Sequence, residues 1–353
     1  FMKICIFVQI LEMMRSFASD NNSGVHPLVL DAVIKANDNH AVAYGGDPWT
    51  EKATAIIKEM FGSNAEPFFV FNGTGANSVA LQSITQPFNS ILCATTAHIN
   101  VDECGAPGRL SGCALVPIET PDGKLTPESI KPHLRNFGSC HHSQPKAAYI
   151  SQATELGTIY TIDEVKAIAG LLHSHGMYLH MDGARLANAC VALGCSMKEV
   201  TADAGVDVLS FGGTKNGMMM GEAVISFHPE ITANLPYIRK QSAQLASKLR
   251  YMSAQYIPYL ENDLWRTNAE HANYCAKRLA EVLSEFPQIR ITQKVESNQL
   301  FFTLPDEPLK KLSEKYFFYI WDENINEVRF VTSWDTTLED IESMETSLRE
   351  VLK

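Results

Sequence analysis

Between residues 67 and 227 short apolar runs alternate with longer amphipathic stretches, and this pattern limits the possible folds of the 353-residue chain most severely. Runs at 67–71, 91–95, 114–118, 147–151, 178–181, 206–211 and 223–227 have the length and composition of buried strands. Helical spacing fills the gaps at 50–60, 75–85, 127–135, 162–174 and 197–203. Such alternation builds a mostly parallel sheet with helices on its faces. The last two runs lie only about ten residues apart, whereas a parallel crossover needs a dozen or more. They are therefore not expected to be parallel neighbours.

Beyond residue 229 the texture changes. Helical patterns at 235–260 and 264–285 lead into short strands at 289–292, 299–303, 316–320 and 328–332, and a helix at 338–352 closes the chain. The fold class read from this is α/β: a large domain over 15–255 with a seven-stranded, mostly parallel sheet, then a smaller α+β domain over 256–353. Residues 1–14 hold an apolar stretch with one basic residue before it and no small-residue cleavage site after it. A bilayer span needs about 20 apolar residues, so this stretch is read as an N-terminal extension or a packing segment, with a weak signal peptide as the alternative, and no membrane association is expected. With a net charge of -11 and no basic run interleaved with aromatics, no nucleic-acid partner is expected either. Eight cysteines without CxxC spacing indicate reduced thiols of a cytoplasmic protein and no metal site.

Four segments at strand ends carry candidate chemistry. In Ser210-Phe211-Gly212-Gly213-Thr214-Lys215-Asn216-Gly217 a lysine follows a buried strand. A desolvated amine with a lowered pKa is the usual nucleophile for Schiff-base formation, although a solvated turn lysine would look the same in sequence. Gly73-Thr74-Gly75-Ala76-Asn77 opens a helix with small residues, and free amides at a helix start bind phosphate; a tight βα turn is the plain alternative. Asp182, at the end of the strand 178–181, can hold a protonated ring nitrogen, and Arg185 can reach the same place as a carboxylate or phenolate contact. The plain alternative is a helix-capping aspartate with a surface ion pair. His98, in Thr96-Ala97-His98-Ile99-Asn100, can stack on a planar group and move protons near neutral pH, or serve structurally. Together a phosphate turn, a stacking imidazole, a carboxylate for a pyridine nitrogen and a strand-end lysine are the set that pyridoxal 5'-phosphate requires.

The wording of these motifs resembles the threonine aldolases of the β-eliminating lyase group, within the aspartate-aminotransferase-like (fold type I) class, from about residue 16 to the carboxyl terminus. Ser16-Phe17-Ala18-Ser19-Asp20-Asn21 resembles the opening motif, Asp182-Gly183-Ala184-Arg185-Leu186-Ala187-Asn188-Ala189 the pyridine-nitrogen motif, and Val328-Arg329-Phe330-Val331-Thr332-Ser333-Trp334 a strand with a second carboxylate-binding arginine. The resemblance implies that Lys215 tethers the cofactor and that Ser19, Arg185 and Arg329 hold the substrate carboxylate. It implies a base for the β-hydroxyl, either His98 or a water it positions, and release of glycine and an aldehyde from L-threonine, L-allo-threonine or phenylserine. It also implies a homotetramer with active sites between subunits.

The sequence departs from the family in two places. A glycine-rich, arginine-containing stretch that gives relatives a cross-subunit phosphate contact reads Ser247-Lys248-Leu249-Arg250-Tyr251-Met252-Ser253-Ala254-Gln255 here, which leaves Lys248 or Arg250 for that task. His141-His142 falls near the relatives' histidine beside the substrate hydroxyl, so His142 is a further candidate, and a surface loop explains it equally. Another pyridoxal-phosphate reaction, β-elimination or transamination, stays open on the same scaffold. So does a catalytically idle cofactor-binding or scaffold protein.

Overall fold

The computed structural model describes residues 15–353, so the expected extension at 1–14 lies outside the described residues. Seven strands form the central sheet: β1 (Glu66–Val70), β2 (Asn89–Ala94), β3 (Ala114–Ile118), β4 (Gln144–Ser151), β5 (Tyr178–Gly183), β6 (Val208–Gly212) and β7 (Glu222–Ser226), ordered β1-β7-β6-β5-β4-β2-β3. The neighbours from β6 to β3 pair in parallel. β7 is antiparallel to both β6 and β1, which satisfies the short connection after β6 and leaves six strands pointing one way. Their carboxyl ends therefore share one edge.

Helices α1 (Pro27–Lys35), α2 (Pro48–Phe61), α3 (Gly73–Ile84), α4 (Ile162–Ser174) and α5 (Leu186–Leu193) precede β6. Their starts are locally encoded. The Asp47 and Asn72 side chains cap α2 and α3, and Thr161 with Glu164 forms a capping box for α4. Seven consecutive residues of α3, from Gly75 to Leu81, are buried; their small side chains let the helix lie close against the sheet.

The helical pattern at 235–260 is two helices, α6 (Leu235–Gln241) and α7 (Arg250–Leu260). Ala243 takes a left-handed φ of 58°, and the Gln244 N–H returns to the Arg239 carbonyl at 2.9 Å. The pattern at 127–135 stops as an α-turn at Ile130 and continues as a 3₁₀ turn over Lys131–His133, where Pro132 lacks an N–H. The pattern at 197–203 breaks similarly, with its α-turn ending at Val200.

Helix α8 (Leu264–Ser284) leads into β8 (Arg290–Ile291), β9 (Gln299–Thr303), α9 (Asp306–Ser313), β10 (Tyr319–Asp322), β11 (Glu327–Val331) and α10 (Leu338–Val351). The four strands form an antiparallel sheet ordered β10-β11-β9-β8. Leu264, Trp265 and Ala269 of α8 join the core around the large sheet, while Cys275, Ala276, Leu279 and Leu283 join the core around the small one. One helix thus serves both cores, and residue 255, where the sequence reading ends the large domain, lies inside α7. The amino-terminal segment is fastened to the small sheet: Phe17 is buried in that core, its N–H donates to the Phe317 carbonyl at 3.1 Å, and its carbonyl accepts from Val331 N–H at 2.8 Å. Among the described residues no helix is long and apolar enough to cross a membrane.

Candidate active site

The carboxyl ends of β1, β2, β4, β5 and β6 deliver, in turn, the 73–77 segment, His98, Glu155, Asp182 with Arg185, and Lys215 to one edge of the sheet. In open α/β sheets that edge is the ligand crevice. Asp182 is held from three sides: Oδ2 accepts from the Tyr149 hydroxyl at 2.7 Å and Asn77 Nδ2 at 2.9 Å, and Oδ1 from the Ala184 N–H at 2.9 Å. Burial alone would raise its pKa, but the charges of His98 and Lys215 and these donors outweigh it and hold Asp182 below its ordinary value. Asn77 Nδ2 also reaches Glu103 Oε1 at 2.8 Å, and the same oxygen lies 2.7 Å from His98 Nδ1. Burial opposes charge on His98, yet Glu103 and Asp182 prevail and raise its pKa.

Lys215 sits in the 3₁₀ turn Thr214–Asn216 between β6 and β7. Burial, then the Arg185 charge, pull its pKa down; Asp20, Asp182 and Glu222 pull the other way from a distance, without hydrogen bonding to it. A half-buried lysine whose amine has no hydrogen-bond partner among the described residues and is shifted toward neutrality is poised as a nucleophile. The hairpin also packs a carboxyl beneath the lysine turn. A Cβ at Gly212 would collide with the Glu222 carboxyl, whose Oε1 accepts from Thr214 Oγ1 at 3.0 Å and which burial lifts to about 7.

At the other end Arg185 grips the buried Asp20 with two hydrogen bonds, Nε to Oδ2 at 2.7 Å and Nη2 to Oδ1 at 2.8 Å, and Asn298 Nδ2 adds a third donor at 3.0 Å. Burial would raise the Asp20 pKa, but Arg185 and Lys215 keep it low. Among the described residues Arg329, on β11, has no carboxylate partner. Its Nη2 reaches only the Ala18 carbonyl at 3.3 Å, its buried Nε bonds nothing, and the guanidinium lies 5.5 Å from the Tyr319 ring centre and 5.2 Å from that of Trp321. Burial and the Arg185 charge lower its pKa. Ser19 stands beside this pair of arginines, its Oγ accepting from Asn21 N–H at 3.1 Å. Two guanidiniums with one internal carboxylate leave room for an external one.

The other residues singled out in the sequence fall as follows. Asn72 caps the Gly75 N–H, so the amides of Gly73 and Thr74 have no intrahelical partner. Gly75 is packed against the Gln244 side chain, and Ala76 is buried. Asn77 turns inward to Asp182 and Glu103 rather than outward to a phosphate. Lys248 is exposed, and Arg250 donates to the carbonyls of Asp38 at 3.2 Å and Asn39 at 3.0 Å. Both line a surface groove with residues 39–43. His142 is exposed in the loop before β4. It lies at the opposite edge of the sheet from Ser151, a strand length of about 20 Å at ~3.3 Å per residue. Within one chain, Lys248, Arg250 and His142 do not join the other candidates. Among the described residues no His, Cys, Asp and Glu cluster could hold a metal.

Asp20, Glu103, Tyr149 and Glu155 were not singled out in the sequence. Asp20 adjoins Ser19 inside the opening motif, and Glu103 follows His98 by five positions, just beyond the segment that carries it. Tyr149 read as strand packing, and Glu155 carried no local signal.

A sheet with one antiparallel strand beside the lysine turn, followed by a small antiparallel-sheet domain, is the aspartate-aminotransferase-like fold. Aspartate aminotransferase from Thermus thermophilus matches it with a TM-score of 0.69 at 17% identity, over 96% of this chain and 92% of that one. Residues 16–306 match the beta-eliminating lyase family, and the chain belongs to that family. It is similar to the low specificity L-threonine aldolase of Pseudomonas aeruginosa, 42% identical over 342 residues that cover 96% of this chain and 98% of the relative. It is also similar to the solved threonine aldolase of Leishmania major, with a TM-score of 0.90 at 29% identity over 96% of this chain and 99% of that one.

Proposed function

We propose that the protein is a pyridoxal-phosphate-dependent aldolase that cleaves L-threonine, L-allo-threonine and related β-hydroxy-α-amino acids such as phenylserine to glycine and an aldehyde. The observation that carries this reading is one crevice holding an ionised Asp182, a Lys215 amine and an Arg329 whose buried Nε is orphaned, the latter two without a partner for these nitrogens among the described residues. The residues fit the cofactor. Lys215 would be its covalent tether, Asp182 the partner of its ring nitrogen, the Glu103-anchored His98 ring its stacking surface, and the Gly73 and Thr74 amides its phosphate contacts. Bound there, the cofactor supplies an acceptor for the electron pair of the broken Cα–Cβ bond.

The protein's own groups do the rest. Arg329, Ser19 and the face of Arg185 turned away from Asp20 orient the substrate carboxylate, which sets which Cα bond is aligned for cleavage. Asp182, anchored by three donors, keeps its charge and would thereby favour a proton on the cofactor's ring nitrogen. Lys215, as a free amine, would hold and move a proton at Nζ.

The reading extends to a homotetramer with active sites between subunits. Exposed Leu28 and Ile34 on α1 and Val42 and Tyr44 in the following segment support an interface on that side, and Lys248 and Arg250 in the adjoining groove would supply the cross-subunit phosphate contact. A cytoplasmic location is supported by the seven described cysteines, all unpaired.

Elimination and transamination use the same cofactor pocket but give different products. Purified protein loaded with pyridoxal phosphate is expected to release acetaldehyde and glycine from both threonine and allo-threonine, measured by coupled aldehyde reduction and amino-acid analysis. Ammonia and a keto acid in their place would overturn the aldolase reading.

A further inference from the structure

The base that takes the β-hydroxyl proton must be an acceptor with an open lone pair at the crevice, and the groups there can be sorted by what they already hold. Both Asp182 oxygens accept hydrogen bonds. Glu103 Oε1 is shared by Asn77 and His98, and its Oε2 is sealed from solvent. His98 is bound to the Glu103 carboxylate through Nδ1, and its other ring nitrogen offers a lone pair only in the neutral form, which Glu103 and Asp182 disfavour. Glu155 differs from all three. Its Oε1 accepts from Ser151 Oγ at 2.6 Å and from the His98 backbone N–H at 2.8 Å. Its Oε2 accepts from no other described residue and is not among the sealed oxygens.

The loop that presents this carboxyl is closed on itself. Thr154 N–H donates to the Thr158 carbonyl at 2.9 Å, the two threonine hydroxyls meet at 2.7 Å, and the Gln152 side chain exchanges hydrogen bonds with the Tyr160 backbone at 2.8 and 2.9 Å. The Gln152 N–H further donates to the Asp182 carbonyl at 2.8 Å, which ties the loop to β5. Around Glu155 stand Cys93 from β2, Tyr149 from β4, Tyr160 and Asp182. Burial raises the Glu155 pKa, and the Asp182 charge adds to it against three donors, the Ser151 hydroxyl and the backbone N–H groups of His98 and of Glu155 itself. A carboxylate moved toward neutral pH is a stronger acceptor than an ordinary one.

We propose that Glu155 is the catalytic base of the cleavage, its Oε2 taking the proton of the substrate β-hydroxyl; this rests on the aldolase reading above. The O–H bond breaks, its electron pair becomes the second bond of the aldehyde carbonyl, and the Cα–Cβ pair stays with the glycine fragment. The proton lost from oxygen is matched by the one glycine gains at Cα, so no co-reactant is needed. In the condensation direction the same carboxyl returns the proton to the nascent alkoxide. His98 is left to cover the ring and, through its backbone N–H, to position Glu155.

Cofactor-loaded wild type and Glu155→Gln test this, since the amide oxygen can still accept from Ser151 and His98. Three readouts are compared: glycine affinity by absorbance titration, solvent exchange of the glycine Cα proton, and threonine cleavage. Glycine affinity is expected to stay within about twofold and exchange within about threefold, because neither involves a β-hydroxyl. Cleavage kcat is expected to fall by about 10²–10³-fold, with the acidic limb of the kcat/KM profile lost. Glu155→Asp, which keeps a carboxylate, is expected to recover part of the rate and carries the test if the amide variant does not fold. Cleavage by Glu155→Gln within about threefold of wild type overturns the proposal, as does an equal loss of cleavage and glycine exchange. Wild type that exchanges glycine but releases no aldehyde from threonine overturns the aldolase reading itself.

Discussion

Glu222 is a buried carboxyl that owes its place to an absent side chain, since only glycine at position 212 leaves room for it. Its titration has a definite sign. Burial lifts it from an ordinary 4.5 to about 7, so between these values the folded protein holds a proton that the unfolded chain has lost. The stabilisation is complete below about 4.5 and is lost as pH rises toward about 7. In cofactor-free protein, Glu222→Gln should therefore gain stability relative to wild type across that window, by about 3 kcal/mol for a shift of this size at ~1.4 kcal/mol per pH unit. Urea titrations at pH 4.5 and 7.5 measure it, and a difference independent of pH would show that Glu222 does not titrate there. At this scale the sequence was partly legible. Lys215, Asp182 and His98 stand at strand ends, where their chemistry is visible. Asp20 and Glu103 were hidden because what distinguishes them is a partner far along the chain: Arg185 for Asp20 and Asn77 for Glu103.

The seven sheet strands were readable because each is a short apolar run with a definite beginning and end. The break between α6 and α7 was not, because the residue that turns the chain is an alanine, where a glycine would have announced it. The turn lets the Gln244 carboxamide reach back and accept from the Phe71 N–H at 3.0 Å, just before α3 begins. A left-handed alanine costs ~1–2 kcal/mol, whereas glycine costs ~0.5–1 kcal/mol in chain entropy. Ala243→Gly is thus expected to raise the unfolding free energy, by about 0.5 kcal/mol in urea titration. A loss of stability would mean that tertiary contacts, not local backbone preference, hold the turn. Helix α5 escaped for a different reason: Leu186-Ala187-Asn188-Ala189-Cys190-Val191-Ala192-Leu193 is almost uniformly apolar or small and shows no amphipathic period to read.

The proposed carboxylate end of the site is made from three stretches distant in sequence: residues 19–20, Arg185 and Arg329. The first is held from both sides, since Phe17 is buried against Phe330, with ring centres 5.3 Å apart, while Asp20 is gripped by Arg185. Phe17→Ala is expected to raise KM for amino-acid substrates more than it lowers kcat, although Phe17 belongs to the small-domain core. Steady-state kinetics with threonine check this, and an unchanged KM would show that the Ser19 segment holds its position without that anchor. The same arrangement separates the two halves of the site in time. Asn77, His98, Glu103, Tyr149, Asp182 and Lys215 have all been synthesised by residue 215, whereas Arg329 lies more than a hundred residues later. Amino-terminal parts of a chain fold first as it leaves the ribosome. A nascent chain therefore carries every residue proposed to hold the ring, and part of the proposed carboxylate grip, well before Arg329 exists, and the second guanidinium is the last piece of the site it acquires.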